Sequence, residues 1–365
     1  MNAKRKGRVL IMAGGTGGHV FPALAVANIL RQDGWQVEWL GTQNGIEARI
    51  VPAENFTLHC ISAVGLRGKS IGKLLMAPWQ LLRAQWQSLS VLRRFRPDVV
   101  LGMGGFASGP GGLAARWLRI PLVVHEQNAV AGTTNRILSR HAKKILFAFP
   151  RVFPRGELVG NPVRADIATL AFSPKKIALP PVRLRLLVLG GSQGARALNT
   201  LLPQALALLP EHERPEVFHQ AGRDLLQETV KNYAKAQVTA RIEPFVEDMV
   251  EKYRWADFVV CRAGAMTVYE LACAQLPALL IPLPTAIDDH QTMNARWFEE
   301  VNAARVLPQA TLDAQTLAQE IQSLMNDRKA LQAMSHAMKG LAQPDAASKV
   351  AKICEDIFVE GLSRG

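Results

Sequence analysis

The stretch from Arg8 to Ala27 indicates chemistry more directly than any other part of the chain. An apolar run leads into a loop in which four glycines surround Thr16, and an apolar segment of helical character follows. Such a strand, loop and helix aims backbone N–H groups and a helix dipole at one point, which favours a diphosphate. His19 lies at the mouth of the loop, where an imidazole suits proton transfer near neutral pH. A tight turn capped by His19 explains the same residues without a ligand.

The same arrangement occurs three more times. Small residues follow apolar strands in the segments 98–112, 184–196 and 257–270. Ligands of open parallel sheets bind outside the carboxyl ends of the strands, where these loops would lie. The repetition predicts an α/β protein of two Rossmann-like parallel-sheet domains that face each other across a cleft. The predicted boundaries are 1–162 with a C-terminal helix at 345–365 for one domain, and 163–344 for the other.

Alternating apolar runs predict the elements that position these loops. In the first half, strands are expected near 8–12, 36–40, 98–102, 121–125, 144–148 and 157–160, and helices near 20–32, 74–95, 110–118 and 132–140. In the second half, strands are expected near 184–189, 216–219, 238–242, 257–260 and 278–282, and helices near 195–208, 222–234, 246–255, 266–275 and 289–301. A Pro- and Lys-containing connector at 173–181 separates the halves, and a last helix at 345–360 is expected to return to the first domain.

Composition is that of a soluble globular protein, and we expect the chain to stay in the cytoplasm. The longest apolar runs, such as 277–284, are far shorter than the ~20 residues of a transmembrane helix. The basic N-terminus leads directly into a strand, unlike a signal peptide. The four cysteines show no CxxC spacing, which predicts reduced thiols and no zinc site.

Positive charge is concentrated in the first half of the chain. The net charge is +13; residues 1–162 hold 21 Lys and Arg against 7 Asp and Glu, and residues 163–365 hold 22 against 23. A one-sided basic domain indicates nucleic acid or an anionic membrane surface as partner. Tryptophan and leucine beside basic residues in the segment 69–96 favour the membrane, so no nucleic-acid partner is expected.

The predicted membrane contact is one face of a helix in that segment. Its members are Leu75, Trp79, Leu82 and Trp86 with Lys69, Lys73 and Arg83 around them, and Leu89 continues the same face. Leu74, Leu81 and Leu92 mark a second face, and Pro78 is expected to kink or divide the helix. The alternative is a buried core helix with a solvated basic rim.

The fourth loop offers the clearest nucleotide contacts. Ala265, Met266 and Thr267 would present N–H groups at a helix N-terminus, and Glu270 can accept both hydroxyls of a ribose. Ser192 would add a hydroxyl to the same phosphates. Polar residues at 125–128, and Gln291 in the segment 287–295, suit sugar hydroxyls. The chain contains no Asp-x-Asp sequence, so helix dipoles would neutralise a leaving diphosphate, and we expect neither metal nor cofactor.

Several motifs resemble the MurG family of bacterial glycosyltransferases. They are GGTGGHVFPALA at 14–25, GLRGK at 65–69, GMGGFASGPGG at 102–112, HEQN at 125–128, GNPVR at 160–164, GGSQGAR at 190–196 and CRAGAMTVYELA at 261–272. The resemblance implies a GT-B fold and transfer of N-acetylglucosamine from UDP-GlcNAc to the 4-hydroxyl of MurNAc in lipid I. Transfer with inversion would give lipid II for peptidoglycan. The implied location is the inner face of the cytoplasmic membrane, with lipid I, the anionic lipid surface and cell-wall synthesis proteins as partners.

The resemblance also assigns roles to residues. The donor would contact Thr16, Gly17, Gly18, Asn128, Arg164, Ser192, Val246, Ala265, Met266, Thr267, Val268, Tyr269, Glu270 and Gln291. The backbone at Val246 would read the uracil. His19 is the favoured base, and Glu126 is the second candidate, either as the base itself or as the group that orients His19.

Other functions fit parts of the sequence. GMGGFA at 102–107, followed by Glu126, fits a nicotinamide-binding fingerprint but leaves the other loops unexplained. A UDP-GlcNAc 2-epimerase would share the fold and donor but should lack the Trp-rich basic face. A different GT-B lipid glycosyltransferase and a membrane-bound scaffold with a vestigial nucleotide site are further alternatives.

Overall fold

The computed structural model describes residues 6–63, 77–175, 177, 182–191 and 194–363. The chain forms two compact units. Unit 1 comprises Met1–Arg164 and Asp345–Gly365, and unit 2 comprises Ala165–Pro344. Each unit has its own parallel sheet with helices around it.

Unit 1 contains a seven-stranded sheet in the order β3-β2-β1-β4-β5-β6-β7, in which neighbouring strands are parallel. Its strands are β1 (Arg8–Ala13), β2 (Gln36–Gly41), β3 (Thr57–Cys60), β4 (Val99–Gly104), β5 (Leu122–Glu126), β6 (Lys144–Phe147) and β7 (Glu157–Leu158). Its first helices are α1 (Gly17–Gln32), α2 (Glu47–Ala53), α3 (Ala77–Phe95), α4 (Ser108–Trp117) and α5 (Thr133–Ser139).

Unit 2 contains a six-stranded parallel sheet in the order β10-β9-β8-β11-β12-β13. Its strands are β8 (Arg185–Leu189), β9 (Glu216–Gln220), β10 (Arg241–Glu243), β11 (Phe258–Cys261), β12 (Ala278–Leu280) and β13 (Ala304–Val306). Its helices are α6 (Ala165–Ala168), α7 (Arg196–Ala207), α8 (Leu226–Lys235), α9 (Met249–Trp255), α10 (Ala265–Ala274), α11 (His290–Glu300), α12 (Ala314–Asn326) and α13 (Arg328–Leu341). Short 3₁₀ turns lie at Thr169–Phe172, Glu211–Glu213, Arg223–Leu225 and Ile287–Asp289.

The chain then returns to unit 1 as α14 (Ala346–Leu362). This helix packs on α1, and its residues Val350, Cys354 and Ile357 belong to the same buried cluster as strand β1. Phe358 meets the ring of Trp35 edge-on, with 5.3 Å between ring centroids. The core of unit 1 therefore combines residues from both ends of the described chain.

The strand order places the predicted loops where parallel sheets bind ligands. In each sheet the order reverses between two adjacent strands, β1 and β4 in unit 1 and β8 and β11 in unit 2. The crevice outside the carboxyl ends of such a pair is the usual ligand site. Strands β1 and β4 are almost completely buried, as expected for apolar strands covered on both faces.

The prediction of two parallel-sheet domains is confirmed. The elements not predicted from the sequence are α2, β3, α6, β13, α12 and α13. Pro78 does not divide α3, because it lies in the first turn, where a missing N–H costs nothing. The predictions for Lys69, Lys73, Leu74, Leu75, Ser192, the GLRGK motif and part of the 173–181 connector lie outside the described residues. In the described part of the chain, no helix combines the length and apolar character needed to cross a bilayer.

Candidate functional site

The first two glycine loops of unit 1 pack against each other. Gly104 ends β4 and Gly105 follows it, with φ angles of 103° and 90°, a region that favours glycine. A Cβ on Gly105 would collide with the backbone of Gly14, and a Cβ on Gly104 would lie 2.7 Å from Nδ1 of His19. These two glycines therefore let both loops and the imidazole approach closely.

A buried carboxylate lies behind the first loop. Glu47 is fully buried and accepts hydrogen bonds from the N–H of Gly15 at 2.9 Å and from the N–H and hydroxyl of Thr42 at 2.9 and 2.7 Å. The prediction that this loop aims free N–H groups at a ligand is wrong for Gly15, because Glu47 accepts the hydrogen bond of its N–H. A negative charge at this position also disfavours a diphosphate on this loop.

The imidazole of His19 is held by an amide rather than by a carboxylate. Its Nδ1 lies 2.9 Å from Oε1 of Gln127. The Nε2 of Gln127 lies 3.0 Å from Nδ1 of His125 and 3.2 Å from the His125 carbonyl oxygen. The prediction that Glu126 orients His19 is therefore wrong: Gln127 contacts the imidazole, and Glu126 accepts hydrogen bonds from Asn128, Gly132 and Asn135.

His125 forms the far end of this chain of contacts. Its Nε2 lies 3.0 Å from the carbonyl oxygen of Gly160, and its side chain is fully buried. Burial lowers the pKa of His125 to about 4, because a charged ring is poorly solvated there. The His125 ring is therefore neutral at physiological pH.

Glu126 organises the loop that follows β5. One carboxylate oxygen accepts from the N–H of Asn128 at 3.0 Å and from its side-chain amide at 3.4 Å. The other accepts from the N–H of Gly132 at 3.1 Å and from Nδ2 of Asn135 at 2.9 Å. Glu126 is 1% exposed, so its carboxylate is committed to this loop.

Other predicted residues of unit 1 lie around these loops. Thr16 is the N-cap of α1, and Gly17 and Gly18 form its first turn, where backbone N–H groups lack intrahelical acceptors. Asn128 and Arg164 are half-buried; Asn128 lies two residues after β5, and Arg164 lies directly before α6.

In unit 2, several predicted residues line one pocket of about 170 Å³. Val246, Thr267 and Glu270 all contribute to its wall, together with the half-exposed ring of Phe245. Gly264 is the N-cap of α10, so Ala265, Met266 and Thr267 occupy the first turn with the orphan N–H groups of a helix start. These groups, the aromatic ring and the carboxylate suit an anion joined to a planar ring and a diol.

Two side chains at this pocket, Tyr253 and Arg262, were not predicted from the sequence. The hydroxyl of Tyr253 donates to Oε2 of Glu270 at 2.8 Å, and Tyr253 is 1% exposed. The guanidinium of Arg262 donates to the carbonyl oxygens of Ile281 and Pro282 at 3.0 and 3.2 Å. Burial lowers the pKa of Arg262 from its usual value, but the group stays charged at neutral pH. Arg262 therefore places a fixed positive charge beside the start of α10.

Three further residues predicted to contact the donor, Val268, Tyr269 and Gln291, have side chains that are buried or already hydrogen-bonded. Val268 and Tyr269 are buried, Tyr269 packs edge-on against Phe298, and the N–H of Val268 donates to the carbonyl oxygen of Gly264 at 3.1 Å, so neither side chain faces a ligand. Gln291 lies in the first turn of α11, and its Oε1 accepts from the N–H of Leu283 at 3.0 Å. The Oε1 of Gln291 therefore fixes the beginning of the 283–289 segment.

Helix α3 shows the predicted apolar face at its beginning. Trp79, Leu82 and Trp86 are 67, 57 and 71% exposed, and Arg83 is exposed beside them. Leu89 is 7% exposed and belongs to the core with Leu92, so the prediction that it extends the exposed face is wrong. The side chains turn inward along the helix because its second half packs on the sheet.

An apolar groove adjoins this face. Leu81 of α3, Leu113 of α4 and Ile137 of α5 line a groove of about 250 Å³, and all three are more than one third exposed. Trp117, at the end of α4, is 64% exposed. Exposed apolar side chains thus occur on three consecutive helices, α3, α4 and α5.

Comparison with known proteins identifies relatives over nearly the whole chain. The glycosyltransferase family 28 N-terminal domain matches residues 9–147, and the family 28 C-terminal domain matches residues 185–350. A protein of Alkalilimnicola ehrlichii is 54% identical over 348 residues, covering 95% of this chain and 98% of the relative. One of Chromohalobacter salexigens is 52% identical, covering 97% and 98%. Both are named UDP-N-acetylglucosamine–N-acetylmuramyl-(pentapeptide) pyrophosphoryl-undecaprenol N-acetylglucosamine transferase.

Solved structures agree with these matches. The crystal structure of Acinetobacter baumannii MurG superposes with a TM-score of 0.84 at 41% identity, covering 96% of this chain and 100% of that chain. The calicheamicin glycosyltransferase CalG4 superposes with a TM-score of 0.68 at 14% identity, which is a likeness of fold alone.

Proposed function

The chain belongs to glycosyltransferase family 28, and we propose from this membership that it transfers N-acetylglucosamine from UDP-N-acetylglucosamine to N-acetylmuramyl-(pentapeptide) pyrophosphoryl-undecaprenol, lipid I. The product is lipid II, the precursor of peptidoglycan. The observation that carries the proposal is the pocket of unit 2, where Glu270, Phe245 and the start of α10 come together.

The nucleotide occupies that pocket. Its ribose hydroxyls donate to the carboxylate of Glu270, which Tyr253 orients through its hydroxyl. The backbone at Val246 and the ring of Phe245 meet the uracil. The diphosphate faces the N–H groups of Ala265, Met266 and Thr267, where the dipole of α10 favours negative charge.

The leaving diphosphate is stabilised without a metal ion. The dipole of α10 acts together with the guanidinium of Arg262, which the carbonyl groups of Ile281 and Pro282 hold in place. Donors fixed before the reaction stabilise developing charge without reorganisation. Full activity in EDTA supports this part of the proposal, and strict dependence on Mg²⁺ or Mn²⁺ contradicts it.

The general base is His19 of unit 1. Its ring is half-buried at the start of α1 and is held on one side by Gln127. Glu126 is the weaker candidate, since both of its oxygens accept hydrogen bonds from the loop and it is 1% exposed. A base must reach the acceptor's hydroxyl, and a carboxylate committed to a buried loop does not.

The reaction is a single displacement. His19 takes the proton of the muramyl 4-hydroxyl as that oxygen attacks the anomeric carbon, and the bond from this carbon to UDP breaks on the opposite face. The α-linked donor therefore gives a β(1→4) product. Incubation with UDP-N-acetylglucosamine and a soluble lipid I analogue, followed by NMR of the new linkage, tests the scheme. Retention of the α configuration, or epimerised sugar nucleotide without transfer, overturns it.

The exposed face of α3 attaches the protein to the cytoplasmic face of the membrane, where a lipid-linked acceptor resides. Trp79, Leu82 and Trp86 enter the interfacial region, and Arg83 pairs with anionic lipid headgroups. The neighbouring apolar groove enlarges the surface that lipid can cover. Asn128 and Arg164 remain predicted contacts of the transferred sugar.

A further inference from the structure

We infer that Gln127, itself anchored by His125, holds the imidazole of His19 in the Nδ1–H tautomer and so leaves the Nε2 lone pair to accept a proton. Gln127 is thus a positioning residue for the reaction. The inference rests on the proposed role of His19 as the base. It follows from three side chains whose hydrogen-bonding atoms leave a single consistent assignment.

The orientation of the Gln127 amide is fixed by a carbonyl group. One terminal atom of this amide lies 3.2 Å from the carbonyl oxygen of His125. Two oxygen atoms would repel each other at that distance, so this atom is the NH₂ nitrogen. The other terminal atom is then Oε1, which lies 2.9 Å from Nδ1 of His19. An amide oxygen only accepts, so the His19 Nδ1 carries the proton.

The hydrogen bonds of His125 give the same orientation of the Gln127 amide independently. Its Nε2 faces the carbonyl oxygen of Gly160 at 3.0 Å and must donate to it. A neutral imidazole has one N–H, so the His125 Nδ1 is an acceptor. The Nε2 of Gln127 donates to it at 3.0 Å and, with its second hydrogen, to the His125 carbonyl oxygen. Because burial lowers the pKa of His125 to about 4, this polarity holds at neutral pH.

Packing keeps the three groups in place. Gln127 and His125 are fully buried, and the Nδ2 of Asn161 donates to the carbonyl oxygen of Gln127 at 3.0 Å. Gly104 adds the space in which the His19 ring lies, since a Cβ there would be 2.7 Å from Nδ1. The ring therefore lies against the glycine backbone at the end of β4 and bonds to Gln127 through a protonated Nδ1.

The first test reads the tautomer of the full-length wild-type chain. Histidine labelled with ¹⁵N gives long-range ¹H–¹⁵N correlations that distinguish a protonated ring nitrogen from a bare one, and the His19→Ala variant assigns the signals. We expect a protonated Nδ1 and a bare Nε2 for His19. A protonated Nε2 in the wild-type protein overturns the inference.

The second test is a double-mutant cycle. Gln127→Met keeps the length of the side chain but removes its hydrogen bonds, and we expect kcat to fall at least about tenfold, part of the ~10²–10⁴-fold that a general base contributes. The KM for UDP-N-acetylglucosamine should change little. In the His19→Ala background the same substitution should have no further effect, because Gln127 acts through His19.

The control is Gln87→Met. Gln87 also lies in unit 1, where its Oε1 accepts from the N–H of Ser62 at 2.7 Å, and it contacts none of the groups above. We expect normal kcat for this variant. Equal losses from Gln127→Met in the wild-type and His19→Ala backgrounds overturn the inference. If His19→Ala itself leaves kcat unchanged, the base assignment fails, while the tautomer measurement still decides the role of Gln127.

Discussion

At the scale of single residues, the carboxylate of Glu270 is positioned by its neighbour. Tyr253 is buried and donates to one of its oxygens, so the carboxylate does not rotate freely at the pocket wall. A bidentate acceptor set in advance binds a diol more tightly, since less side-chain entropy is lost on binding.

We predict that Glu270→Ala weakens UDP binding by roughly 1.5–3 kcal/mol, the cost of losing charge-assisted hydrogen bonds. Tyr253→Phe, which removes only the hydroxyl, should weaken it by a smaller amount, about 0.5–1.5 kcal/mol. Calorimetric titration with UDP measures both, and a thermal melt of each variant controls for folding. Unchanged UDP affinity in Glu270→Ala would place the ribose elsewhere.

The two candidate bases make opposite predictions. His19→Ala should lower kcat by ~10²–10⁴-fold with little change in the affinity for UDP-N-acetylglucosamine, because it removes proton transfer alone. Glu126→Gln should mainly lower thermal stability, since an amide cannot accept all the hydrogen bonds that the carboxylate takes from Asn128, Gly132 and Asn135. Steady-state kinetics and melting curves decide. Near-normal kcat in His19→Ala with loss of activity in folded Glu126→Gln would exchange the assignments.

The candidate site residues next to the glycine loops could be predicted from the sequence, but their hydrogen-bond partners could not. His19, Glu270 and the first turn of α10 follow glycine loops, a local pattern that can be read along the chain. The contact of Gln127 with His19 joins residues 108 positions apart, and that of Glu47 with Gly15 joins residues 32 apart. Such contacts depend on the order in which the strands assemble, and local sequence patterns do not predict that order.

At the scale of elements, α3 changes its environment along its length. Its first half exposes Trp79, Leu82 and Trp86, whereas Leu89 and Leu92 are buried. The spacing of these residues correctly predicted a helix. Spacing alone does not show which part of a helix packs on the sheet and which part is exposed.

We predict that the double substitution of Trp79 and Trp86 by Glu reduces binding to anionic vesicles while turnover of a soluble lipid I analogue stays nearly intact. Both rings are mostly exposed, so folding should survive. Arg83→Gln should weaken vesicle binding by about 1 kcal/mol, and high salt should weaken it further. Vesicle co-sedimentation measures both effects. Leu89→Glu serves as the contrasting variant, and it should unfold the helix region. Unfolding of the double Trp variant would instead make this face part of the core.

At the scale of the whole molecule, each unit buries a neutral histidine. Burial lowers the pKa of His125 in unit 1 to about 4 and that of His219 in unit 2 to about 3. In the unfolded chain both would have a pKa near 6.5. The unfolded state therefore binds more protons below that pH, and stability falls as pH falls through this window.

Each histidine should lower the free energy of unfolding by about 2 kcal/mol between pH 7.5 and pH 5. Urea unfolding at several pH values in this range measures the loss. Above pH 7.5 the histidine contribution should be flat. A free energy of unfolding that stays constant down to pH 5 would contradict the neutral, buried state of both rings.

The two-unit architecture could be predicted from the repeated loops, because each strand–loop–helix segment is recognisable along the chain. The crossover connection between two parallel strands is nearly always right-handed, which limits how such segments assemble. The short edge strands β3 and β13 and the helices α12 and α13 were harder to predict. Strand β13 has only three residues, and α12 and α13 lie in a polar stretch without glycine loops.

The placement of α14 has a consequence for synthesis on the ribosome. Unit 2 is continuous in sequence and can fold once residue 344 has emerged, whereas the core of unit 1 lacks Val350, Cys354, Ile357 and Phe358 until later. The half of the protein that is translated first is thus completed last. Until then, the surface of α1 and Trp35 that will receive α14 is open to chaperones or to aggregation. A stop codon just after residue 344 would leave a folded second unit beside an unfinished first one.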